Sequence, residues 1–206
     1  MSSASYKTIT PSGGQALYTD KRSKFYAFVH PVRNEDEALQ HIAHYRKEYH
    51  DARHVCWAYR VGTHGEVLEK YNDDGEPSST AGKPILGQLL SRELTQVVAI
   101  VVRYFGGVKL GTGGLIVAYR TAISNALDQA SIVEIELFRT YLLTFPFTLI
   151  NPVMMLLKEA EAEIGATDAT VKGYHYKIKV PERLTSLFEH RAKKLYQLEI
   201  KRTEAH

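Results

Sequence analysis

The chain has 206 residues, with 26 lysines and arginines against 23 aspartates and glutamates, a formal net charge of +3. Its 44% hydrophobic and 24% charged residues exclude wholesale disorder, and no stretch approaches the roughly 20 apolar residues of a spanning helix. A single cysteine, Cys56, excludes an internal disulfide and a two-cysteine zinc site; the first residues lack the apolar run of a secretory signal, so the cytoplasm is the expected location and no membrane partner is expected.

The length allows one large domain or two small ones. Phe25–His30 alternates as a strand closed by Pro31, and Asn34 stands as an N-cap before Glu35, Asp36 and Glu37, where a helix dipole favours acids. Leu39, Ile42, Arg46 and Tyr49 recur at helical spacing, which predicts a helix to about residue 50. His54–Val61 alternates as a strand with His54, Cys56, Ala58 and Arg60 on one face and Val55, Trp57, Tyr59 and Val61 on the other. A turn at 62–65, a returning strand at 66–71, an acidic loop at 72–79 and a short helix over 84–94 follow. Val97–Val102 is an unbroken β-branched run, as in a strand buried on both faces. A glycine-dense loop at 106–114 leads into a helix over 115–130, apolar around much of its circumference and so expected to be largely buried.

The pattern then restarts. Strand 140–145, a helix N-capped by Asn151 before Pro152 and running through Glu163, strands 166–172 and 174–180, a helix over 181–194 and a strand over 196–201 make a βαββαβ order. That order is the split-βαβ, ferredoxin-like arrangement, and places a domain boundary near residues 134–139.

Two runs carry chemistry. Arg103–Leu115 leaves a buried strand and enters a helix through glycines, which permit close backbone approach; with Lys109 and the free N–H groups of the helix start, the Gly106–Gly114 loop reads as an anion cradle. Its spacing matches neither the Walker A nor the dinucleotide fingerprint, and a plain tight connection is the other reading. Asn72–Ile85 offers Asp73, Asp74 and Glu76 as oxygen ligands, although turn and helix-cap chemistry accounts for these acids better than metal ligation. His41 and His44 read as solvated, and Cys56 as a half-buried core thiol; alternate residues of one strand point in parallel, so His54 is poorly placed as its base. Arg103 and Arg120 interrupt apolar elements, which calls for an internal carboxylate such as Asp74 or Glu76.

The three segments His54–Arg60 (HVCWAYR), Asp73–Gly82 (DDGEPSSTAG) and Val102–Leu115 (VRYFGGVKLGTGGL) resemble the signature of the IMPACT/YigZ family, and Arg22–Phe25 (RSKF) is similar to its opening stretch. The resemblance covers about residues 20–130. It implies an α+β protein in which residues 1–134 form an α/β sandwich like the second domain of the fifth small-subunit ribosomal protein, a fold shared with a class of small-molecule kinases. Residues 135–206 resemble the ferredoxin-like domain that bacterial YigZ-type members append, similar in kind to the last domain of elongation factor G. Eukaryotic IMPACT proteins, which carry an additional N-terminal RWD domain, act as translational regulators.

The resemblance and the residues together lead to an expected non-catalytic binding or regulatory protein associated with translation, contacting RNA or a ribosome-associated protein through a glycine-rich basic groove. The alternative is a Mg²⁺-dependent phosphate- or nucleotide-binding enzyme using the same groove. The candidate ligand-binding residues are Arg60, Asp74, Glu76, Thr80, Arg103, Tyr104, Lys109, Gly111, Thr112, Gly113, Gly114 and Arg120, with Tyr59 and Phe105 as further stacking candidates. No catalytic residue, resident metal or cofactor is assigned. Residues 54–60, 73–83 and 103–114 are expected to line one groove.

Overall fold

A computed structural model describes residues 4–63 and 65–203. The chain folds as two units that meet in sequence between Ile135 and Glu136, and the whole is an α+β protein. Among the described residues no helix is long and apolar enough to cross a membrane.

The first unit is built on a five-stranded antiparallel sheet. Its elements in chain order are β1 (Ser5–Ile9), β2 (Gly14–Asp20), β3 (Ser23–Pro31), α1 (Glu35–Glu48), β4 (His54–Val61), β5 (Leu68–Asn72), α2 (Gly82–Ser91), β6 (Val97–Tyr104), α3 (Gly111–Gln129) and β7 (Ile132–Glu136). The sheet order is β2-β3-β6-β4-β5, while β1 and β7 pair separately. Strand β6 is therefore central, which explains why its β-branched run is buried on both faces, as its sequence predicts.

Side-chain alternation sorts the two cores. Phe25, Val29, Cys56, Ala58, Ala99 and Val101 face α2 and α3, whereas Phe28, Val55, Tyr59, Val98, Ile100 and Val102 face α1. The register sets Val29, Ala99 and Ala58 in one row across three strands, and two small side chains there leave room for the helices to settle on the sheet.

Helix α1 begins as expected, with the Asn34 side chain accepting the Glu37 N–H at 2.9 Å. Its buried stripe is Ala38, Ile42 and Tyr45, one step round from the expected face, and Leu39 is exposed. Tyr45 takes the inner place because it stacks on Phe28 and meets His30, its hydroxyl 2.8 Å from Nε2. Helix α3 is buried along one stripe only (Leu115, Ala118, Tyr119, Ala122 and so on), with Val117 outside; its apolar circumference comes from small residues rather than enclosure.

His41, expected in solvent, instead stacks on His30 with ring centroids 4.4 Å apart. Burial pushes the His30 pKa down to about 4, with His41 and His44 adding to the shift. Between pH 6.5 and 4 the unfolded chain therefore binds a proton that the folded chain refuses, so stability falls as pH drops through that window. After allowance for solvent screening at this partly exposed site, the expected loss is about 1–2 kcal/mol. Urea unfolding of the protein and of His30→Gln at pH 7 and pH 4.5 checks this: the difference between the two pH values should be smaller in the variant, and an equal difference would rule His30 out.

The second unit comprises β8 (Phe138–Phe145), α4 (Ile150–Glu159), β9 (Glu163–Thr170), β10 (Gly173–Pro181), α5 (Thr185–Ala192) and β11 (Glu199–Arg202). Its antiparallel sheet has the order β11-β8-β10-β9, the βαββαβ arrangement that the sequence pattern predicts. Tyr141, Phe145, Ile178, Val180, Leu156 and Phe188 form its core. Helix α4 differs from expectation at both ends. A 3₁₀ turn at Phe147–Leu149 precedes it, so Leu149 takes the cap position and Asn151 lies inside the first turn. It ends at Glu159, because Glu161 at φ 49° turns the chain into β9 well before Gly165.

Candidate functional site

The site of the first unit begins where β4 and β6 run side by side, with His54 directly opposite Arg103. The loop between β5 and α2 folds over this end of the sheet and is tied down by its own acids. Asp73 accepts the backbone N–H groups of Ser79, Ala81 and Gly82 at 2.8–3.0 Å, so it closes the loop and caps the start of α2. Asp74 accepts the Val55 N–H at 2.7 Å and pairs with Arg46 at 2.7 Å, while its own carbonyl oxygen accepts a bond from His54 Nδ1 at 2.7 Å. A carbonyl can only accept, so His54 carries its proton on Nδ1 and leaves Nε2 as a lone pair when neutral.

That clamp buries Glu76. Its side chain is 4% exposed, and Oε1 takes bonds from Arg103 Nη1 at 2.5 Å and Tyr119 Oη at 2.8 Å, with His54 Nε2 at 4.0 Å. Arg103 is itself 5% exposed and lies over the rings of Phe25 and Phe105, with its carbon Cζ 5.4 and 5.6 Å from the centroids. Its Nε has no hydrogen-bond partner among the described residues. Cys56 Sγ lies 3.0 Å from the Asp73 carbonyl oxygen and 3.3 Å from the Tyr119 hydroxyl. The thiol is fully buried rather than half-buried, and burial pushes its pKa up, so it is held as an inert donor and not as a nucleophile. Burial first, then Cys56 and Glu76, raise the Tyr119 phenol in the same sense and keep it protonated.

Above this network opens a pocket of about 460 Å³. Its walls include Arg53, His54, Glu76, Arg103, Phe105, Lys109, Gly111 and Thr112. The glycine run splits in two: residues 106–110 form the loop, while Gly111, Gly113 and Gly114 belong to the first turn of α3, four residues earlier than the spacing predicts. The cap residue Leu110 makes no side-chain cap bond, so the orphan N–H groups at the start of α3 stand at the pocket wall occupied by Gly111 and Thr112. Ser23, from the Arg22–Phe25 stretch, accepts the Gly106 N–H at 3.1 Å and ties this loop to the β2–β3 turn.

Of the candidate residues, Glu76, Arg103, Phe105, Lys109, Gly111 and Thr112 therefore come together, and the others do not. Arg60 sits at the far end of β4, paired with Glu69 at 2.9 Å. Thr80 is buried, its hydroxyl donating to the Pro77 carbonyl at 2.6 Å. Asp74 is occupied as described. Tyr104 points to the α1 side of the sheet, where it donates to Asp51 at 2.6 Å. Arg120 is exposed on α3 beside Lys83 and Leu90; of the two arginines, only Arg103 pairs with an internal carboxylate among the described residues. Gly113 and Gly114 lie in the helix without lining the pocket. Tyr59 is fully buried against Glu35. Arg53 and Tyr119 were not predicted: Arg53 shows no motif of its own, and a tyrosine at helical spacing reads as ordinary core.

Residues 21–127 match the family model described as the Impact N-terminal domain. The Bacillus subtilis protein "IMPACT family member YvyE" is 38% identical over 157 residues, covering 76% of this chain and 71% of that one. The Escherichia coli "IMPACT family member YigZ" is 34% identical over 149 residues, covering 72% and 73%. Among solved structures, a hypothetical protein superposes with a TM-score of 0.70 at 26% identity over 99% of this chain and 100% of that one.

Proposed function

The chain belongs to the IMPACT family, and on that premise we propose that it is a binding protein of translation, contacting RNA or a ribosome-associated partner through the pocket of its first unit. The family resemblance supports the translational setting. One observation carries the choice of surface. The buried charge below the pocket is internally matched, Arg103 against Glu76, whereas Arg53 and Lys109 on its walls are exposed and have no ion pair among the described residues. Unspent cations beside open helix N–H groups favour a phosphate-bearing partner.

The test is fluorescence anisotropy of a labelled structured RNA across a salt series. Binding should weaken steeply with salt, and Lys109→Ala should lower the slope of log K against log salt by about one unit. An unchanged slope takes Lys109 out of the contact. Absence of binding at low salt refutes direct RNA recognition.

A further inference from the structure

We propose that the pocket of the first unit takes a single nucleotide, its phosphate at the start of α3 beside Lys109 and its base against Phe105. This deepens the proposed function and rests on the same pocket.

Four observations converge. The volume of about 460 Å³ lies within the range of small-molecule sites and is ample for one nucleotide. At one wall lie Gly111, which turns into the helix at φ 76°, and Thr112, whose first-turn N–H groups receive no side-chain cap from Leu110, and Lys109 precedes them. Arg103 lines the same pocket nine-tenths buried with its Nε unsatisfied, although an orphaned buried guanidinium nitrogen is costly. A ligand oxygen would supply the missing acceptor for such a group. Phe105 supplies what a bare anion does not need. It is 45% exposed, an expensive place for a phenyl ring, and it lines the pocket with Arg103 lying over it. A base laid on the ring would complete an Arg103–Phe105–base stack.

The remaining groups fit this occupant. Glu76 is already neutralised by Arg103 and Tyr119, so it does not repel a phosphate as a free carboxylate would. His54 lines the pocket, and its Nε2, the ring nitrogen left over by the bond to Asp74, is able to accept from a ribose hydroxyl or an exocyclic amine. The nucleotide has two sources, a free nucleoside phosphate or one residue of single-stranded RNA, and their shared chemistry is phosphate plus base.

Calorimetric titration of the full chain with inorganic phosphate, adenosine, AMP, GMP, CMP and UMP, and with an unstructured RNA hexamer, tests this. Either a mononucleotide or the hexamer should bind more tightly than phosphate or adenosine alone. Phe105→Ala should weaken that binding about tenfold or more while leaving the weak phosphate affinity unchanged. Because Phe105 is half exposed, the variant should keep its fold, and an unchanged melting temperature verifies that. Binding of mononucleotides identifies a free-nucleotide site; binding of the hexamer alone identifies RNA. If the hexamer binds but Phe105→Ala leaves its affinity unaltered, the single-nucleotide pocket is overturned and RNA contact stands. Nucleotide binding without any RNA binding supports the pocket and overturns the RNA reading. If none binds better than phosphate, the inference fails outright.

Discussion

Replacing Glu76 with alanine should lower the stability of the first unit by about 3–5 kcal/mol. The carboxylate is 4% exposed and is the ion-pair partner of Arg103, whose guanidinium is buried under Phe25 and Phe105 and cannot shed its charge. Removing the acid leaves a cation with its Nη1 donor unpaired in addition to the Nε already orphaned, and it strands the Tyr119 hydroxyl as well. The double substitution Glu76→Leu with Arg103→Met removes both charges and fills similar space, so it should recover most of the loss. Trp57 gives a clean readout. It is the only tryptophan, lies on β4 and stacks on Tyr59, so its fluorescence during urea unfolding reports the first unit by itself. A loss below about 1 kcal/mol for Glu76→Ala would show that Arg103 is satisfied without it, by water or by a shift of the β5–α2 loop.

The same buried pair shows how far the sequence could be read. An arginine ending a β-branched strand demands a counter-charge on physical grounds, and Arg103 with Glu76 was one of two partners that the composition of the β5–α2 loop allowed. What decided between Asp74 and Glu76 was backbone geometry: Asp74 at φ 44° turns its carboxylate back onto the Val55 N–H, and Glu76 is left to enter the floor of the pocket. Spacing along a chain carries no such information. The alternation of β3 and β4 and the unbroken β-branched run of β6 were legible because these strands carry apolar residues for the cores, whereas the edge strand β2 mixes Gln15, Leu17 and Thr19 on an exposed face and gives no apolar signal. Helix α1 was visible through its cap, yet its buried stripe was misplaced by one residue because Tyr45 finds aromatic partners on β3 that only the register supplies. Arg53 could be found only once β4 was known to begin beside the end of β6, since a lone exposed arginine between Ala52 and His54 has no local signature.

The glycine run at 106–114 should split into opposite responses to alanine. Gly106→Ala should cost about 3 kcal/mol, because an added Cβ would lie 2.1 Å from the Arg22 carbonyl carbon and 2.2 Å from the Ser23 nitrogen. Both atoms are backbone, and they belong to a turn in which Lys21 and Arg22 already hold positive φ, so the β2–β3 connection cannot simply swing away. Its displacement would also stretch the Gly106 N–H bond to Ser23 Oγ. Seven residues on, Gly113 sits in the first turns of α3 with nothing within 4 Å of a built Cβ and with no positive φ, so Gly113→Ala should stabilise by about 0.5 kcal/mol through helix propensity alone. The two variants, followed by Trp57 fluorescence in urea, separate two meanings of one glycine-rich segment. Close approach of backbone to backbone holds the loop at Gly106, whereas at Gly113 no packing constraint requires glycine. Should Gly106→Ala prove neutral, the loop would have to accommodate about 1 Å of movement, and the pocket wall formed by Phe105 and Lys109 could not be preorganised; should Gly113→Ala destabilise, glycine at that position would be serving more than the helical turn that follows Gly111.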